Sequence, residues 1–68
     1  MRSLVPFTEE DLCDIRRIAE EVAPVESVEV IEEGFCVVHF VDGQTQSWRN
    51  FGFCMEESLE GATYMKGL

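Results

Sequence analysis

Between Ile18 and Trp48 the chain contains no lysine and no arginine. Only five bases face fourteen acids in the whole sequence, a formal charge of −9. Binding nucleic acid directly requires Lys and Arg to displace counterions from phosphates, and this chain has the opposite sign. The surface repels phosphate and speeds encounters with basic surfaces. No apolar run approaches the roughly 20 residues of a membrane span. The stretch MRSLVPF turns polar at Thr8, so the start of the sequence has no secretory apolar region.

Cysteine is scarce and scattered. Cys13, Cys36 and Cys54 are an odd number with no close pair, which fits free thiols in a reducing cytoplasm. Those three with His39 form the only conceivable Cys3His zinc set, and none of the four has the short ligand spacing that such sites use. The calcium-loop pattern of alternating Asp or Asn with a central Gly is missing. No glycine-rich phosphate loop is present. The sequence predicts neither a cofactor nor a metal.

What is present is enough to fold. The chain has 68 residues, 46% of them hydrophobic, with seven aromatics, too apolar for a disordered segment. We expect a single compact domain over residues 1–68. A chain this short buries only about 60% of its unfolded surface, which leaves little interior for a deep substrate pocket.

The stretch PFTEEDLCDIRRIAEEVAP reads as a helix from Glu9 to Val22. Thr8 is a natural N-cap, and Asp11 three residues on completes a capping box. Phe7 before the cap can pack on Leu12 as a hydrophobic staple. Glu9, Glu10 and Asp11 occupy the first turn, where the helix dipole favours negative charge. Leu12, Ile15, Ile18, Ala19 and Val22 form one apolar stripe, and Pro24 ends the helix. Glu20 and Glu21 sit at the unfavourable end of the dipole. Arg16 and Arg17, four residues earlier, offset part of that cost.

Three strands follow. VESVEVIEE ends at Glu33-Gly34, and FCVVHFV ends at Asp42-Gly43; Asp-Gly between alternating runs signals a two-residue hairpin. With two-residue turns, Val41 pairs with Gln44, Val37 with Trp48 and Phe35 with Glu32. One face then carries Val28, Val30, Phe35, Val37, His39, Val41 and Trp48, and the helix stripe closes this core. The other face shows an apolar island of Ile31, Cys36, Val38 and Phe40 that the tail or a second subunit must cover. The tail predicts a short helix from Met55 to Glu60 with Gly61 as its stop; a fourth strand around Ala62–Met65 is the competing reading. The expected fold is α+β: an N-terminal helix packed on a three-stranded antiparallel meander, with a short C-terminal helix.

Catalysis finds no constellation. In this register the lone His39 lies beside Gln46 as a hydrogen-bonded core histidine, with Cys36 and Ser47 on the opposite face. Trp48, Phe51, Phe53 and Tyr64 are core aromatics by default. The order helix, three strands, helix resembles double-stranded-RNA-binding modules in architecture, but those need a basic face. We expect no enzyme.

The stretch EEVAPVESVEVIEE holds six glutamates in fourteen residues. Charges on an edge strand deter aggregation, and acids aid solubility. Neither role explains why Lys is never used, nor why acids crowd the negative end of the helix. Carboxylates four apart on a helix lie about 6 Å apart, similar to neighbouring phosphates along a nucleic-acid strand. The candidate rows are Glu10, Asp14, Glu20 and Glu21 on the helix, and Glu26, Glu29, Glu32 and Glu33 on the strand and turn.

In size, acidity and α/β character the chain is similar to small acidic inhibitors encoded by bacteriophages and mobile elements, including anti-CRISPR proteins and other DNA mimics. The similarity is general, and no single motif carries it. It implies a cytoplasmic, non-enzymatic blocker of a basic, nucleic-acid-binding protein or complex, monomeric or homodimeric, that competes with DNA or RNA. The competing expectation is a small assembly module, a homodimer or accessory subunit, that uses the island of Ile31, Val38 and Phe40.

Overall fold

A computed structural model describes residues 3–66. Its elements in chain order are α1 (Glu9–Glu20), β1 (Val25–Glu32), β2 (Phe35–Phe40), β3 (Thr45–Asn50), β4 (Cys54–Glu57) and β5 (Thr63–Met65). The strands form one antiparallel sheet in the order β1-β2-β3-β4-β5. The α+β class is as expected. The meander has five strands rather than three, and the C-terminal helix is replaced by a hairpin.

The helix begins as its sequence dictates. The Thr8 hydroxyl accepts from the Asp11 backbone N–H at 3.0 Å, and the Asp11 carboxylate accepts from the Thr8 N–H at 3.0 Å. This reciprocal pair satisfies two of the donors that a helix start leaves open. Phe7 and Leu12 are both half-buried against the core. The helix ends at Glu20, short of Val22, with Glu21 as its C-cap.

One hydrophobic cluster lies between helix and sheet: Ile15 and Ala19 from α1, Val25, then Cys36, Val38, Phe40, Trp48 and Met55. Here β2 departs from expectation. The Asp42-Gly43 turn is a three-residue loop, closed by Phe40 N–H to Gln44 O at 2.9 Å and Gly43 N–H to Phe40 O at 3.0 Å. Asp42 accepts from the Gln44 N–H at 3.0 Å, and Gly43 takes φ +92°. One extra loop residue slips the register by one. Cys36, not Val37, therefore pairs with Trp48, and Val37 pairs with Ser47. Because side chains alternate with period 2, that slip turns every β2 side chain over. Cys36, Val38 and Phe40 are the core, while Phe35, Val37 and His39 are half-buried on the face away from the helix. Val28 packs at the core margin as expected; Val30 is half exposed.

The segment Met55–Glu60 is not helical. Met55 and Glu57 alternate inward from β4 as buried partners of Asn50 and Trp48. Gly61, read as a helix stop, instead takes φ +69° after the β4–β5 turn and donates to Glu57 O at 3.1 Å. The competing strand reading is the one that forms, as β5.

Both sheet edges are blunted against further pairing. β1 carries two irregularities, at Glu26 and Ile31, where its register against β2 shifts. β5 is only three residues long. Bulges, edge charges and short edge strands all hinder edge-to-edge association.

Candidate functional site

The eight acids fall into two groups. On α1 and its C-cap, Glu10, Glu20 and Glu21 are exposed and Asp14 is half-buried. Glu10 and Glu21 are eleven residues apart, three turns, so they share a face about 16 Å long. Asp14, on that same side, accepts from Arg17 Nη2 at 3.2 Å and from the Tyr64 hydroxyl at 3.3 Å. Glu20 lies 3.8 Å from Arg16. Arg17 thus turns back to Asp14 rather than forward to Glu21.

On β1, Glu26, Glu29, Glu32 and Glu33 are all exposed. Glu29 pairs with Val37 and Glu32 with Phe35, which sets both on the face away from the helix. Glu26 occupies the first irregularity of the strand, and Glu33 lies in the β1–β2 turn. The helix acids and the Glu29–Glu32 pair therefore face opposite sides of the sheet. Glu10 and Asp14 lie beside Tyr64 of β5, at the sheet edge opposite β1, so the eight acids do not form one contiguous patch. Among the described residues no cation lies within salt-bridge distance of Glu10, Glu21, Glu26, Glu32 or Glu33.

His39 is not the core histidine that the expected register implied. Its Nε2 meets Glu29 Oε1 at 3.0 Å on the open face. Gln46 instead accepts from the Trp48 indole N–H at 2.8 Å. At the other end of β2, Arg49 stacks 5.3 Å from the Phe35 ring centroid and donates to the Ser58 hydroxyl at 2.7 Å. The open face therefore carries two separate polar contacts, with Phe35 and Val37 half-buried, and not the expected island. Ile31 alone of the expected island is exposed, at 49%.

The chemistry of the thiols follows burial. Cys13 is exposed, while Cys36 and Cys54 are buried. Desolvation pushes the Cys36 thiol up to about 11, only partly countered by a backbone hydrogen bond with Trp48. A thiol held protonated at neutral pH is a poor nucleophile. Among the described residues no three His, Cys, Asp or Glu side chains are grouped to hold a metal ion. No helix among them is long and apolar enough to cross a membrane.

Two features escaped the sequence. The first is a polar knot. Asn50, fully buried, donates to Pro6 O at 2.9 Å and to Asp11 at 3.4 Å, and accepts from the Gly52 N–H at 3.1 Å. Lys66 joins it at Asp11. No local pattern signals a contact between residues this distant in sequence. The second is a cleft of about 320 Å³ between the end of α1 and the β4–β5 turn, with Ile18, Val22, Phe40, Trp48 and Leu59 among its lining. Compared with protein families, curated proteins and solved structures, the chain matches none.

Proposed function

We propose that the protein is a non-enzymatic acidic binding module that occupies a basic, nucleic-acid-binding surface of a partner and competes there with DNA or RNA. The blocked complex would be a host defence complex of CRISPR-Cas kind or a regulatory one. One observation carries the reading: the β1 rim presents Glu26, Glu29, Glu32 and Glu33, all exposed, with His39 as their one charge-capable hydrogen-bond partner among the described residues. Edge protection alone would be served by either sign of charge and is already supplied by the bulges. The uniform negative sign is the part that a basic partner accounts for.

Of the residues named for the assembly-module expectation, Val38 is fully buried and Phe40 only 6% exposed within the core, while Ile31 is exposed. The test is an affinity capture from nuclease-treated lysate with a salt ramp, run with the native chain and with a Glu26→Lys, Glu29→Lys, Glu32→Lys, Glu33→Lys variant. A nucleic-acid-binding complex should elute from the native chain at moderate salt, since exposed charges are screened beyond about 8 Å at physiological ionic strength. At about 0.2–1 kcal/mol per exposed charge, the variant should bind roughly four- to several-hundredfold more weakly with its fold intact. Binding that resists both salt and charge reversal would sink the proposal.

A further inference from the structure

The acidic rim gives long-range attraction but no specificity of shape. The cleft at the end of α1 is different. Its floor is Trp48, Phe40 and Ile18, all contacting the hydrophobic core, and its mouth carries Val22 and Leu59, exposed at 71% and 82%. These two aliphatic side chains come from separate elements and open onto the same space. Single exposed hydrophobics are ordinary, but two flanking one concavity of about 320 Å³ form a lipped pocket.

The turn that displays Leu59 is built with care for its shape. Glu57, 2% exposed, turns its carboxylate to the backbone N–H groups of Leu59 at 3.0 Å and Glu60 at 2.6 Å. Gly61 N–H returns to Glu57 O at 3.1 Å, and Ser58 N–H bonds Ser47 O at 2.9 Å. A buried carboxylate thus pins a turn whose tip is a leucine in solvent. Holding the turn explains Glu57, but it does not explain a leucine at the tip. A turn whose backbone is already held loses little backbone entropy when it is covered.

None of the residues lining the cleft is Lys or Arg, and two, Glu57 and Glu60, are acidic. The chain immediately before Val22 is Glu20-Glu21. The mouth is therefore apolar, with exposed Glu60 in its lining and exposed Glu21 next to Val22. We propose that this cleft seats an apolar side chain, Leu or Phe in size, from a partner segment whose flanking residues are Arg or Lys. This deepens the basic-partner reading and rests on it for the sign of the flanks. It adds a contact that salt does not weaken.

The test uses the full chain, isotopically labelled, and three capped hexapeptides: RRLFRR, RRGSRR and EELFEE. RRLFRR should shift the amide signals of Val22 and Leu59 and the Trp48 indole signal saturably. RRGSRR should move only signals of acidic residues, and EELFEE neither set. Leu59→Glu, at an exposed position, should weaken RRLFRR binding by about tenfold or more. The fourfold Glu→Lys rim variant separates the two proposals. Cleft shifts that persist in it support the cleft whether or not the rim binds a partner. Cleft shifts no larger for RRLFRR than for RRGSRR, equal binding of EELFEE, or an unchanged affinity in Leu59→Glu would each overturn the cleft proposal while leaving the rim intact.

Discussion

Lys66 Nζ lies 2.9 Å from Asp11 Oδ2, so the last described residue of the chain holds the carboxylate that caps the helix start. Asp11 is 6% exposed. Burial is the largest influence on its carboxyl and pushes its pKa up, but the Thr8 N–H and the Lys66 ammonium outweigh it and leave the group below its ordinary 3.8. The folded state therefore binds this proton less tightly than the unfolded chain does. The stability it contributes is complete above the unfolded value and is lost as pH falls through the lowered folded value. Melting temperatures should drop as pH falls below about 4, and Asp11→Asn should flatten that drop. Lys66→Met should cost about 1–3 kcal/mol near neutral pH by leaving a buried carboxylate short of a partner. An unchanged acid slope in Asp11→Asn would contradict this assignment.

The register predicts opposite consequences for neighbouring residues of one strand. Phe40→Ala empties a core position and should cost about 3–5 kcal/mol, enough to unfold a domain of this size at ambient temperature. Val37→Ala, on the open face, should leave a cooperative transition with a much smaller loss. Circular dichroism melts of the two variants decide between the observed register and the one with a two-residue turn, which predicts the reverse ranking.

Thiol accessibility gives an independent check on the same faces. One thiol, Cys13, should react promptly with Ellman's reagent in the folded protein, and all three should react in guanidinium. Cys13→Ser should remove the fast phase. Prompt reaction of Cys36 would mean that β2 presents its other face.

Two glycines with similar backbone angles should differ in cost. Gly34 has φ +80°, and a Cβ there would lie 2.7 Å from both Leu4 Cβ and Val5 O. Gly43 has φ +92° and open space around it. Gly43→Ala should cost only the left-handed backbone penalty of about 1–2 kcal/mol. Gly34→Ala should cost visibly more, because it also displaces the N-terminal segment that Val5 anchors to Asn50 O at 3.0 Å. Equal melting temperatures for the two variants would contradict that contact.

Local chemistry was legible wherever the controlling contact spans three or four residues. Thr8 and Asp11 cap the helix because their side chains reach each other's backbone, and no distant residue is needed. The edge role of Glu26 and Glu29 was readable for the same reason, since charge on a first strand needs only the strand order. Glu57 was misread. Its burial depends on Trp48 opposite and on the turn it ties, neither of which its neighbours reveal. The cleft was invisible because its lining comes from the helix end and two separate turns.

The sequence alone determined the helix with its cap, the alternation of β1 to β3, and a net charge of −9. It could not determine which face of β2 is inside. Phe35, Val37 and Val41 on one parity match Cys36, Val38 and Phe40 on the other almost evenly in apolar content, so hydrophobic pattern alone leaves the two packings nearly balanced. A single loop residue, set by Asp42 bonding the Gln44 N–H and Gly43 adopting φ +92°, tipped the choice. Trp48, Ile15 and Met55 then closed over Cys36, Val38 and Phe40, turning His39 outward to Glu29. Register is a long-range property, and only the packed structure could decide it.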